Sequence, residues 1–224
     1  MKFSKKTTED QTTPDLKVEL TEDEAQQIGE AMSAGMNPMF IDHGMLIYRD
    51  NYFTTKRVGF VYGDVCEENN YDLIKSLIFW NDGTKRPVYL YIDSYGGDAS
   101  VCMQIIDLIE ALQANGIDVY TVAMGKAMSA GAMILSAGTK GCRYAFPSAR
   151  IMLHQASGGA VGTIESIDQE RTEMEILNTR LKTILTKAGI SKEQIEAIMK
   201  KDTYMSAKEA KKLNVIDKVQ VLKS

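Results

Sequence analysis

From Arg57 onward the chain alternates short β-rich runs with helical ones, and this rhythm constrains the fold more than any other feature. "RVGFVYG" reads as a strand, "NNYDLIKSLIFWN" as a helix and "RPVYLYID" as a strand. "DASVCMQIIDLIEALQANG" is next, a helix stopped by Gly116, then "DVYTVAM" as a strand and "SAGAMILSAG" as a helix. Strands separated by helical stretches argue for a parallel sheet built from right-handed βαβ units, so the expected fold class is α/β with a parallel sheet core. "CRYAF" and "RIMLH" read as two further short strands. "SKEQIEAIMKK" and "SAKEAKKLN" read as short helices with Ser191 and Ser206 as N-caps, and "VIDKVQVL" as a closing strand.

Two regions stand apart from this rhythm. Residues 163–188 form a long helix candidate with Ile164, Ile167, Met174, Leu177, Leu181, Ile184 and Ala188 on one narrow seam. Such a seam suits a helix lying on its own core, and equally one that projects to meet another subunit. At the other end, residues 1–19 are polar, and "LTEDEAQQIGEAMSAG" reads as a short helix. Thr21 and Glu24 there have capping-box spacing, and Gly35 is a stop. The expected division is an N-terminal arm over 1–50 and a main domain over 51–224.

Composition removes several function classes. A net charge of −4 leaves no electrostatic footprint for nucleic acid. The apolar runs are only a few residues long, so no membrane span is expected, and the N-terminus shows no secretory apolar core. Cys66, Cys102 and Cys142 are scattered without a CxxC and read as reduced, buried thiols of a cytoplasmic protein. His43 and His154 are far apart in sequence, so neither a metal site nor a cofactor is expected.

In an open parallel sheet, reactive groups gather at the carboxyl ends of the strands. Three stretches fall there: "YIDSYGGDAS", "TVAMGKAMSAG" and "RIMLHQASGG". Ser129 alone would be an ordinary helix cap. The G-x-S-x-G elbow is not matched, because Ala127 stands at its first glycine, but small neighbours still allow a tight turn that exposes Oγ. Gly96-Gly97 alone would be a turn; its functional reading is a backbone N–H from Gly97 that joins the Ala130 N–H in an oxyanion hole. His154 is the base such a hydroxyl needs.

"YLYIDSYGG", "GKAMSAGAMILSAGTKGCRYAFPSARIMLHQASGG" and "YMSAKEAKKLNVIDKV" together resemble the Clp protease proteolytic subunit family over roughly Arg57 to Val219. The resemblance implies a crotonase-like ββα superhelix, serine endopeptidase activity and heptameric rings stacked in pairs around the active sites. It implies an AAA+ unfoldase as partner and peptide or unfolded protein as substrate. It carries the nucleophile to Ser129, the base to His154 and the oxyanion donors to Gly97 and Ala130, with Gly96 beside them. It also makes helix 163–188 the ring-to-ring handle. The N-terminal part and the acid loop are similar in style to phage-encoded members.

The departures are specific. Tyr95 and Ala156 stand where the family usually has proline. Counting back from "YMSA" without a gap, the catalytic acid falls on Ile198 and the preceding arginine on Ala197, while Asp202 aligns with a later Asp of the same stretch. The expectation is that a re-registered loop lets Asp202 orient His154; another acid, or a Ser-His dyad, is the alternative. Lys126 and Lys140 flank the serine's helix and keep a Ser-Lys mechanism in view. A ring-forming homologue impaired in its acid and acting as a scaffold or regulatory subunit is the second functional reading. An acyl-CoA enzyme sharing the fold is the third.

Overall fold

The structure is a computed structural model and describes residues 53–220. The expected arm over 1–50, with its helix at 20–35, lies outside the described residues. Strand β1 (Val58–Val65), helix α1 (Glu67–Phe79), β2 (Val88–Gly97), α2 (Ala99–Ala114), β3 (Val119–Met128) and α3 (Ala130–Ala137) keep the expected alternation. Then come β4 (Arg143–Ala145), β5 (Arg150–Leu153), α4 (Ile164–Ala188), α5 (Lys192–Ile198), β6 (Thr203–Ser206), α6 (Ala207–Lys212) and β7 (Lys218–Val219).

The sheet runs β1-β2-β3-β4-β7 with all neighbours parallel, and β5 also lies parallel to β3. Period-two alternation sends Val88, Leu90 and Ile92 of β2 into the core and leaves Tyr89, Tyr91 and Asp93 half-buried on the other face. Helix α2 lays Ile105, Ile106, Ile109 and Leu112 on the sheet, all fully buried and each worth about 1.5–3 kcal/mol of transfer free energy. It starts where Asp98 accepts from the N–H groups of Ser100 and Val101, at 2.6 and 3.1 Å.

Strand β3 carries the feature that shapes the site. Between the pairs Ile92↔Ala123 and Ser94↔Ala127, β2 advances two residues and β3 four, so residues 124–126 bulge opposite Asp93. On its other edge β3 changes partner at the same place, pairing with β4 through Thr121–Ala123 and with β5 through Lys126–Met128. A bulge bends its strand and re-aims the residues beyond it, and the strand leads directly into Ser129.

The seam of the long helix divides. Leu181, Ile184, Leu185 and Ala188 are buried on the core, whereas Ile164 is 78% and Ile167 43% exposed. Thr163 caps its start by accepting from the Ser166 N–H, and Gly189, at φ 97°, ends it in the left-handed conformation that glycine adopts without a Cβ penalty. Ser191 and Ser206 cap α5 and α6 in full capping boxes, as their sequences lead one to expect.

Two readings are corrected. "TYMS" is strand β6, paired antiparallel with β5, where no strand was expected; four residues are too short to show a periodicity. Of the three thiols, all free, only Cys102 is fully buried; Cys66 and Cys142, just before α1 and β4, are half-buried. Among the described residues, no helix is long and apolar enough to cross a membrane.

At the start of β4, Arg143 is 1% exposed and holds both oxygens of Asp217, Nε to Oδ2 at 2.9 Å and Nη2 to Oδ1 at 2.8 Å. Its Nη1 donates to the carbonyl of Ala188 at 3.1 Å, so one guanidinium ties the last turn of α4 to the sheet.

Candidate active site

Ser129 occupies the turn between β3 and α3 at φ 50°, ψ −120°, a conformation in which a non-glycine residue is strained by about 1–3 kcal/mol. Its hydroxyl caps no helix N–H. Its own N–H donates to the carbonyl of Met152 at 2.9 Å, which fastens the turn to β5. Strand β5 ends one residue before His154, so the pairing of β3 with β5 brings the histidine to the serine. His154 Nε2 stands 2.8 Å from Ser129 Oγ.

Asp202 arrives by a second register. The β5–β6 ladder pairs Ile151↔Met205, Met152↔Tyr204 and Leu153↔Thr203, so the next position along sets Asp202 opposite His154. Its Oδ1 lies 3.4 Å from His154 Nδ1, and its side chain is 62% exposed. Ile198, the position of the acid in a gapless count, is 3% exposed in the hydrophobic core at the end of α5. The loop between Ile198 and β6 spans the difference.

Two glycines bring β2 against this turn. A Cβ on Gly96, at φ 109°, would stand 2.7 Å from Ser129 Cβ, 2.9 Å from Met128 O and 3.1 Å from Ala130 N. A Cβ on Gly97 would stand 2.4 Å from Val65 O. Only glycine permits either approach. The Asp98 N–H donates to Val65 O at 2.7 Å, which fastens the end of β2 to β1. Ala130 is the first residue of α3, and first-turn amides have no acceptor within their own helix.

A cavity of about 250 Å³ opens beside Ser129 and His154. Gly97 to Ala99 form one wall and His154 to Ser157 the other, with Cys102, Met103, Met133, Leu177 and Leu181 at its apolar base. Burial pushes the Cys102 thiol up to about 12, which keeps it protonated and inert. The facing wall is held where the Ala156 N–H donates to Asn178 Oδ1 at 2.8 Å. The sequence did not single out these base residues as a pocket, although Leu177 and Leu181 belong to the seam that it displays.

Neither candidate lysine reaches the serine hydroxyl as a base. Lys126 Nζ is held by Asp93 Oδ1 at 2.9 Å, and that hydrogen bond raises its pKa, the opposite of what a general base requires. Lys140 is exposed beyond the far end of α3.

An α/β domain with a serine at a strained strand-to-helix turn, in hydrogen-bond reach of a histidine, has the architecture of a serine hydrolase. The family model described as Clp protease matches residues 45–223. The chain belongs to the Clp protease family, a family of serine peptidases whose subunits form oligomeric rings and work with AAA+ unfoldases.

Proposed function

We propose that this chain is a serine endopeptidase working through Ser129, His154 and Asp202. The observation that carries the reading is the 2.8 Å contact between His154 Nε2 and a Ser129 hydroxyl that caps no helix. Nε2 accepts the hydroxyl proton, so the ring proton sits on Nδ1, facing Asp202. Ser129 Oγ attacks the peptide carbonyl while His154 takes the proton and then returns it to the leaving amine. The Gly97 and Ala130 N–H groups receive the oxyanion, each donor worth about 2.7–4 kcal/mol in the transition state. Water, activated by the same imidazole, then hydrolyses the acyl-enzyme. The substrate is an extended peptide lying between the Gly97 and Ala156 walls, pairing its backbone with the strand edge and sending an apolar side chain into the cavity.

Heptameric rings stacked in pairs are part of the same proposal. Their support is the exposed apolar start of the long helix, where Val161, Ile164 and Ile167 face outward. A second reading, a ring subunit impaired in its acid, draws support from the exposure of Asp202.

A fluorescent fluorophosphonate tests the two. Labelling of the wild type that is lost in Ser129→Ala, with matching loss of hydrolysis of a short fluorogenic peptide, is the expected result. A folded, ring-forming wild type that does not label would overturn the peptidase in favour of the scaffold.

A further inference from the structure

The bulge of β3 that aims Ser129 is stitched shut by three side chains outside the Ser-His-Asp set. Asp93 stands opposite the bulge, and its Oδ1 accepts the Lys126 N–H at 3.2 Å and the Lys126 Nζ at 2.9 Å. A Cβ on Gly125 would meet that same Oδ1 at 3.1 Å, so the carboxylate is packed into the bulge. Lys126 Nζ also lies 4.6 Å from the centroid of the Tyr95 ring, in cation–π range. The ion pair is partly sheltered, its side chains being 25% and 22% exposed.

These three residues bracket the reacting atoms. Lys126 lies three residues before Ser129, and Tyr95 immediately precedes Gly96-Gly97. At Gly96 and Gly97 the chain has two successive positive φ values, 109° and 149°. Such a stretch has the most conformational freedom to lose and needs something else to hold it. Ser94 holds one side, its Oγ donating to Gly63 O and accepting the Gly96 N–H at 3.0 Å. The residue directly before the glycines is Tyr95, whose φ is not fixed covalently as a proline's would be. Tyr95 is itself 66% exposed, and its ring is met by the Lys126 ammonium.

We propose that Asp93, Lys126 and Tyr95 form a cross-strand clasp that stiffens the chain at Gly96-Gly97 and fixes the distance between the Gly97 N–H and Ser129 Oγ. They are positioning residues and touch no substrate. The inference rests on the peptidase reading only for its kinetic consequence. A loosened clasp lets β2 and the serine turn drift apart, and a misplacement of about 1 Å costs about 100-fold in rate. The loss is expected to fall more on kcat than on KM, because the cavity base that takes the substrate's side chain belongs to α2, α3 and α4, away from the clasp.

The test compares the full-length wild type with Lys126→Met, Lys126→Arg and the double variant Lys126→Met/Tyr95→Pro. Lys126→Met is expected to lower kcat and the fluorophosphonate labelling rate by about 10- to 100-fold. Arginine keeps both the ion pair and the cation–π contact and is expected to recover most of the rate. Proline at 95 is expected to restore it without the lysine. Hydrogen exchange at the amides of residues 94–98 supplies a readout independent of activity, and should speed up in Lys126→Met alone. Unchanged kcat and unchanged exchange in Lys126→Met would overturn the clasp. So would a loss in which only KM rises, or one that neither arginine nor proline recovers. A wild type that does not label refutes the peptidase reading instead, and the exchange comparison then decides on the clasp.

Discussion

Gly96→Ala is the most direct probe of the site, because its effect can be worked from distances. The added Cβ would stand 2.7 Å from Ser129 Cβ. Carbon atoms in contact settle at about 3.5–4.0 Å, so the serine turn or the β2 backbone must retreat by about 1 Å. The same methyl would lie 3.1 Å from Ala130 N and crowd the space in front of that amide. A displacement of about 1 Å costs about 100-fold, and an obstructed oxyanion donor about 100- to 1,000-fold. The two effects share one cause, so the expected fall in labelling rate and kcat is about 100- to 1,000-fold. Backbone strain at positive φ adds a stability loss of about 1–2 kcal/mol. Gly83→Ala separates strain from crowding. Gly83 has φ 82° and nothing within 4 Å of its notional Cβ, so that variant should lose similar stability and keep its activity. Labelling rates read the site, and thermal melts by circular dichroism read the fold. Activity of Gly96→Ala within threefold of the wild type, in a protein that melts normally, would refute the reasoning. Equal activity losses in the two variants would refute it too.

The remaining predictions concern the acid and the buried ion pair. Asp202→Asn is expected to slow labelling by about 10- to 100-fold, less than the ~10,000-fold seen for a buried triad carboxylate, because the exposed carboxylate at 3.4 Å is well screened. A 10,000-fold loss, or none, read by the same labelling assay, would contradict the exposed geometry. Arg143→Met leaves Asp217 partly buried without its partner and is expected to cost about 3–5 kcal/mol in urea unfolding, part of it recovered by adding Asp217→Leu. Acid should act on two carboxylates. Burial alone would raise the pKa of Asp217, but the hydrogen bonds from Arg143 outweigh it and lower the value. The Arg57 guanidinium, with Thr84, holds Asp82 well below the usual carboxylate range. A depressed native pKa gives stability that is full above the unfolded value of about 3.9 and is lost as pH falls below it. The melting temperature should therefore drop between about pH 5 and pH 3, with a shallower slope in Asp217→Asn; an equal slope would remove Asp217 from this account.

Much of this molecule is legible in the chain itself, because local periodicity and local caps are local physics. The alternation after Arg57 determines a mostly parallel sheet, the serines at 191 and 206 start their helices, and the narrow seam marks one long helix. Ser129, Gly96-Gly97 and His154 stand out because each lies at or just past the carboxyl end of a strand, and the parallel sheet gathers strand ends at one edge. What the sequence by itself leaves undecided is everything set by register between distant segments. A count along the chain puts the acid on Ile198, whereas helix α5 buries Ile198 in the core and the antiparallel β5–β6 ladder sets Asp202 opposite His154. The seam could face inward or outward, and the core fully buries only its second half, from Leu181 on, with Leu177 packed against its margin. The bulge opposite Asp93 is marked in sequence by no more than Gly125, since extra residues in one strand are defined only against their partner. The sequence thus determines which residues are candidates for the chemistry, and strand pairing decides which of them meet. A one-residue change of register turns every side chain to the other face.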